Sequence, residues 1–192
     1  MTTSLDFRKD NRSTEVFQQN IAEFTQREQI YAEALRLDMQ SRLKKEIKIR
    51  NNGVDNSGGL IEGNLHNHNV DMCFDIDGKD WYFEIKTAPE YCDSFYTFKV
   101  YSLQQTLLQN AKLVLPKLGF YYIFSKPAIQ WMLNLKHSIY PRFSPNDMAV
   151  RIMASQVNDL YNSKMLIFRE WSPLAKKLVN QHKDFLLQEK SI

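Results

Sequence analysis

Residues 69 to 87, Asn-Val-Asp-Met-Cys-Phe-Asp-Ile-Asp-Gly-Lys-Asp-Trp-Tyr-Phe-Glu-Ile-Lys-Thr, constrain the fold more than any other stretch of the chain. Two runs of alternating residues flank Asp77-Gly78. In the first, Val70, Met72, Phe74 and Ile76 share one face, and Asp71, Cys73 and Asp75 share the other. In the second, Trp81, Phe83 and Ile85 alternate with Tyr82, Glu84 and Lys86. Alternation with period two is the signature of a strand. Asp-Gly between two such runs marks a hairpin, because a type I′ turn needs positive φ at both central residues.

A two-residue loop fixes the register. Ile76 then lies opposite Lys79, Phe74 opposite Trp81, Met72 opposite Phe83 and Val70 opposite Ile85, which makes one face of the hairpin a continuous buried surface. The same register sets Asp71 opposite Glu84, with Cβ atoms about 4.5–5.5 Å apart, and puts Lys86 on that polar face. Like charges directly opposite each other destabilise a sheet. A divalent cation and a neighbouring ammonium would offset the repulsion. A four-residue loop would keep the faces and slide the pairing, whereas an odd-length loop or a bulge would alter both.

The rest of the chain frames this hairpin. Its 192 residues are enough for one domain spanning 1–192, with residues 1–12 a loose polar terminus. Two cysteines, Cys73 and Cys92, are too few for a disulfide framework and suit a reducing compartment. No signal peptide and no apolar run of membrane-spanning length is present, so the expected location is cytoplasmic, away from membranes. Net charge is only +3, so any nucleic-acid contact must come from local clustering, for which Arg42, Lys44, Lys45, Lys48 and Arg50 are one candidate and a solvated helix end the other reading.

Phe17, Ile21, Phe24, Tyr31, Leu35 and Met39 recur at helical spacing from Ser13 or Thr14 to about residue 44. Glu28 falls within that stripe, where a carboxylate is costly unless paired or bound to a cation; a helix broken near Gln26-Arg27 would instead turn it to water. Glu46–Arg50 alternates as a first strand. Glu62 is a further acid before Asp71. His66 and His68 lack the cysteines or third ligand that zinc would need. Tyr91–Tyr101 reads as a further strand or an aromatic contact loop. Ser102 is expected to cap a helix running to Leu115, and Phe120–Phe124 reads as a central strand. Beyond it, a short helix is expected within 127–141. Ser144-Pro145 is expected to start another helix, 165–171 a strand, and Ser172-Pro173 a last helix to about Gln188.

Asp71 followed by Glu84-Ile85-Lys86 on the next strand resembles the PD-(D/E)XK nuclease superfamily, which includes type II restriction endonucleases, Holliday-junction resolvases and recombination exonucleases. Val70 stands where the motif's nominal proline would be. Helix, strand pair, helix and strand in this order match the family's core. The resemblance implies an α/β fold, a restriction-endonuclease-like mixed sheet core flanked by helices, with residues 127–192 as additional, largely helical elements.

It implies further that Asp71, Glu84 and Lys86 are catalytic. Asp71, Glu84 and the backbone carbonyl of Ile85 would hold Mg²⁺, for which Mn²⁺ can substitute, while Lys86 orients the attacking water. Glu28 is a possible additional ligand, since family members often carry a helix glutamate. Gln104, Gln105 and Gln109 are three candidates for the glutamine that often follows the E-x-K strand. The function implied is metal-dependent endonuclease action on double-stranded DNA, most like a type II restriction enzyme working as a homodimer. A junction resolvase and a non-catalytic nucleic-acid-binding protein on the same fold are the alternatives.

Overall fold

Asp77 (φ 53°) and Gly78 (φ 74°) form the two-residue turn between β2 (Met72–Ile76) and β3 (Lys79–Ile85). The register is the expected one over its described length: Ile76 faces Lys79, Phe74 faces Trp81 and Met72 faces Phe83. The computed structural model describes residues 14–51, 72–87, 94–135, 139–141 and 148–187. Gly78 N–H donates to Asp75 Oδ1 at 2.9 Å, and Lys45 forms an ion pair with Asp77, so the turn is held from both sides.

Helix α1 (Thr14–Leu43) runs through residues 26–27 without a break. It buries Ile30, Tyr31, Ala34 and Leu35 against the hairpin residues Met72, Phe74, Ile76, Phe83 and Ile85. Phe74 and Phe83, wholly buried with ring centroids 4.9 Å apart, each contribute about 1.5–3 kcal/mol through burial. The apolar face is not continuous to the turn, because Trp81 is 42% exposed, with the Lys112 ammonium 5.9 Å from its ring centre. The helix ends at Lys44, whose φ of 56° and N–H bond to Gln40 O make a left-handed cap. The alternation of 46–50 gives strand β1 (Ile47–Asn51), which pairs antiparallel with β2.

After the hairpin come β4 (Phe95–Lys99), α2 (Val100–Leu108) and β5 (Lys112–Pro116). The open reading of residues 91–101 thus resolves to a strand over 95–99. Ser102 lies inside the first turn of α2 and Lys99 is the N-cap, so Ser102 is not the helix start. Nor does the helix reach Leu115. Asn110 takes φ 56°, Ala111 N–H turns back to Thr106 O, and the apolar run that follows inserts as a buried strand parallel to β3.

Strand β6 (Phe120–Phe124) continues antiparallel to β5 and is flanked on its other side by β9 (Leu166–Glu170). The six-stranded mixed sheet therefore has the order β1-β2-β3-β5-β6-β9. The fold is mixed α/β, with helices on both faces of this sheet.

Ser125 caps α3 (Lys126–Asn134) by accepting from Ala128 N–H, the short helix expected there. Residues 144–147 lie outside the described residues, but a helix does not follow them. Met148–Met153 is strand β8, because Val150 and Ile152 alternate into a core while Arg151 and Met153 face out. With β4 and β7 (Ile139–Pro141), β8 forms a second, antiparallel sheet of order β4-β8-β7. The C-terminal third is thus not simply added helices. It supplies β9 to the main sheet and two strands of the second, besides α4 (Ala154–Asn162), α5 (Pro173–Gln181) and α6 (Lys183–Leu187).

Two cores result, one on each side of the main sheet. Val114 points to the α1, α5 and α6 side, and Leu113 and Leu115 to the side holding α2, α3, α4 and the second sheet. One polar group is locked into the first. Asp38, fully buried on α1, accepts from Tyr121 Oη at 2.6 Å, Ser172 N–H at 2.6 Å and Arg42 Nε at 2.7 Å. Arg42 also donates to Glu170 O at 2.7 Å. Burial by itself would raise the Asp38 pKa, but these donors outweigh it and hold the carboxyl below its ordinary value. Burial and the Asp38 charge push the Tyr121 hydroxyl well above its usual range.

Candidate active site

Glu84 sits on β3, on the face opposite Phe83 and Ile85, and is only 8% exposed. The alternation that buries its two neighbours against α1 turns it toward α2. There Ser102 Oγ donates to Glu84 Oε1 at 2.5 Å, and the Lys86 ammonium stands 2.5 Å from the same oxygen. Ser102 reaches the carboxylate because α2 packs along β5, which lies parallel to β3 with Leu113 beside Glu84. Thr106 Oγ1 donates to Ser102 O at 2.7 Å, stiffening the turn that presents the serine.

Lys86 follows the last residue of β3 and remains tied to the sheet, its N–H donating to Val114 O at 2.9 Å. Its ammonium is therefore positioned by backbone as well as by the ion pair. A buried carboxylate bridged by an ammonium and a hydroxyl at the carboxyl end of a strand, where the chain crosses over to a parallel neighbour, is a place where α/β sheets put ligands.

Glu84 and Lys86, expected together, are together. Asp71 lies outside the described residues, as do Glu62, His66 and His68; the pair next to it, Met72 opposite Phe83, has the register that the expectation requires. Glu28 is on α1 and half-buried rather than turned fully to water. Beside it on α1, Arg27 is buried at 7% exposed and donates to Leu186 O at 2.6 Å with its guanidinium 4.8 Å from the Phe185 ring centre.

Of the glutamines on α2, Gln104 is exposed and Gln105 half-buried, while Gln109 is the C-cap. The basic cluster at 42–50 is partly committed to structure: Arg42 to Asp38 and Glu170, Lys45 to Asp77. Lys44 and Lys48 are exposed.

Ser102, whose hydroxyl reaches Glu84, carries in the sequence only the signal of a helix cap. Its position two residues before the Gln104-Gln105 pair carries no signal of an active site, since the contact spans from residue 102 back to 84.

A carboxylate is the donor type that Mg²⁺ takes. Among the described residues, however, no three His, Cys, Asp or Glu side chains gather into a group able to hold a metal ion. Glu84 supplies one hard oxygen donor with a cation already beside it. The second carboxylate that the family resemblance implies, Asp71, lies outside the described residues. Among the described residues no helix is long and apolar enough to cross a membrane. No family model, curated protein or solved structure matches the chain significantly.

Proposed function

We propose that this protein is a metal-dependent endonuclease of the PD-(D/E)XK kind, hydrolysing phosphodiester bonds in double-stranded DNA. The observation that carries the reading is the pair Glu84 and Lys86, joined through one carboxylate oxygen and held by Ser102. Asp71 is assigned as the second carboxylate, with the Ile85 carbonyl as a further oxygen donor. The succession of α1, the β2–β3 hairpin, α2 and β6 keeps the helix, strand pair, helix and strand order of the family resemblance, with β1, β4 and β5 interposed.

In this chemistry water attacks phosphorus, the bond from phosphorus to the leaving oxygen breaks, and that oxygen takes up a proton. A bound Mg²⁺ supplies charge neutralisation at the phosphate and activation of the water. Glu84 supplies negative charge for the cation. Lys86 keeps a fixed ammonium where the attacking water and the developing phosphate charge meet. Ser102 positions the carboxylate.

The target is a duplex cut at a defined sequence by a homodimer, because the elements after residue 127 exceed what the catalytic strand pair needs. Plasmid and long linear DNA incubated with Mg²⁺ test this reading. Discrete fragments whose ends share a short sequence are expected. Cutting confined to four-way junctions would replace the restriction assignment with a resolvase, and an inert protein would remove the nuclease assignment.

A further inference from the structure

The outer face of the second sheet carries a preset cation. On β8, Arg151 lies opposite Thr97 of β4, with Phe95 diagonal to it on one side and Tyr140 of β7 on the other. The guanidinium carbon is 4.3 Å from the Phe95 ring centre and 5.0 Å from that of Tyr140. Thr97 Oγ1 and Tyr140 Oη are 3.4 Å apart, linking the two edge strands across the arginine. The inner face of this sheet, Tyr96, Phe98, Val150 and Ile152, is buried in the second core, so the platform is rigid.

Arg151 is exposed, yet it makes no hydrogen bond or ion pair with any described residue. The cation–π contacts with two rings hold the guanidinium and leave its N–H donors without an oxygen acceptor among the described residues. The described strands β4, β7 and β8 contain no acidic residue, and Lys99, also exposed, adds a second cation on the same face. Lys99 is in addition the N-cap of α2, three residues before the Ser102 that holds Glu84. This face is therefore continuous in the chain with the candidate active site.

We propose that Arg151 is a phosphate-binding fork for a DNA strand, and that the outer face of the second sheet is a nucleic-acid contact surface outside the cleavage centre. Oxygens of one phosphodiester accept two parallel N–H bonds from a guanidinium, a match that an ammonium does not provide. Phe95 and Tyr140 hold the fork in place before the strand arrives, which lowers the ordering cost of binding. The choice of DNA as occupant rests on the nuclease reading; the need for an anion of phosphate geometry rests on Arg151 itself.

Binding of a short fluorescein-labelled duplex, followed by anisotropy without divalent cation so that no cutting occurs, tests the proposal on the full chain. Arg151→Ala is expected to weaken binding about tenfold and to lower the slope of log K against log salt by about one. Arg151→Lys should keep the slope and still lose affinity, since it keeps the charge and loses the fork. Circular dichroism of both variants should match the wild type, the side chain being exposed.

Duplex binding by Arg151→Ala with wild-type affinity and salt slope overturns the proposal. So does a wild-type chain that fails to bind duplex, or one that uses Arg151 to capture polyglutamate without competition from DNA. A parallel Mg²⁺ digestion separates the two readings. Wild-type cleavage with unaltered Arg151→Ala binding rejects the fork and leaves the nuclease standing. Weakened Arg151→Ala binding without wild-type cleavage does the reverse.

Discussion

Ser102 Oγ and the Lys86 ammonium converge on one oxygen of Glu84, each at 2.5 Å. A buried carboxylate so held cannot rotate freely, and the serine sets its orientation from a different element, α2. Ser102→Ala should therefore destabilise the fold by about 1–2 kcal/mol through the lost charged hydrogen bond. On the nuclease reading its larger effect should be a lower kcat with KM little changed, because Ser102 only orients Glu84, which then loses its fixed position. Urea unfolding and steady-state cleavage measure the two effects separately, and Ser102→Thr, which keeps the hydroxyl, should recover part of the rate.

The Asp38 cluster makes a prediction about acid stability. Asp38→Asn removes the charge facing Arg42 and sets an amide against the donors Tyr121 and Ser172, at a cost of about 3 kcal/mol near neutral pH. The folded pKa of Asp38 lies below its unfolded value. Its contribution is thus complete above the unfolded pKa of about 4 and disappears as pH falls through the folded value. Urea titrations from neutral pH downward should show the gap between wild type and Asp38→Asn closing only below about pH 4. A gap that does not change with pH would remove the charged Asp38 from the account.

The hairpin turn gives a purely conformational test. Gly78 has φ 74°, and a Cβ built there meets nothing within 4 Å. Gly78→Ala should therefore cost only the left-handed backbone penalty, about 1 kcal/mol, measurable as a lower urea midpoint with unchanged slope.

That turn was also the most legible feature of the sequence. Asp-Gly names its own backbone angles, and the alternation around it fixes the pairing of Met72, Phe74 and Ile76 without knowledge of anything distant. The strand at 120–124 and the helix at 126–134 are similarly local. Legibility fails where tertiary packing decides. Leu107, Ala111 and Leu115 have helical spacing, but Asn110 adopts a left-handed angle and Leu113 and Leu115 fill a core that requires a strand. Met148–Met153 follows a good helix-start signal and is a strand because β4 and β7 lie on either side of it. Asp38 falls on the buried face of α1 beside Leu35, but its partners Tyr121 and Ser172 are 83 and 134 residues away. Nothing near it in sequence announces them. In the candidate site Glu84 and Lys86 are legible as alternate residues on one face at the end of β3, whereas Ser102 depends on the packing of α2 and is not.

Metal binding can be followed without catalysis. If Glu84 is a ligand, Mg²⁺ or Ca²⁺ should raise the melting temperature of the wild-type chain, since a ligand of the native state stabilises it. Glu84→Gln should abolish that response. A full metal response in Glu84→Gln would place the cation at another site.

The central claim is that Glu84 and Lys86 act together on a phosphodiester, and the most direct measurement is conversion of supercoiled plasmid by wild type, Glu84→Gln and Lys86→Ala in Mg²⁺ and in EDTA. The account predicts cutting by the wild type in Mg²⁺ and none in EDTA. Each variant should fall by at least about a hundredfold in rate, the range for loss of a group acting in the chemical step, while still folding and still binding duplex. Wild-type cleavage that either variant retains in full, or cleavage that proceeds in EDTA, would contradict it.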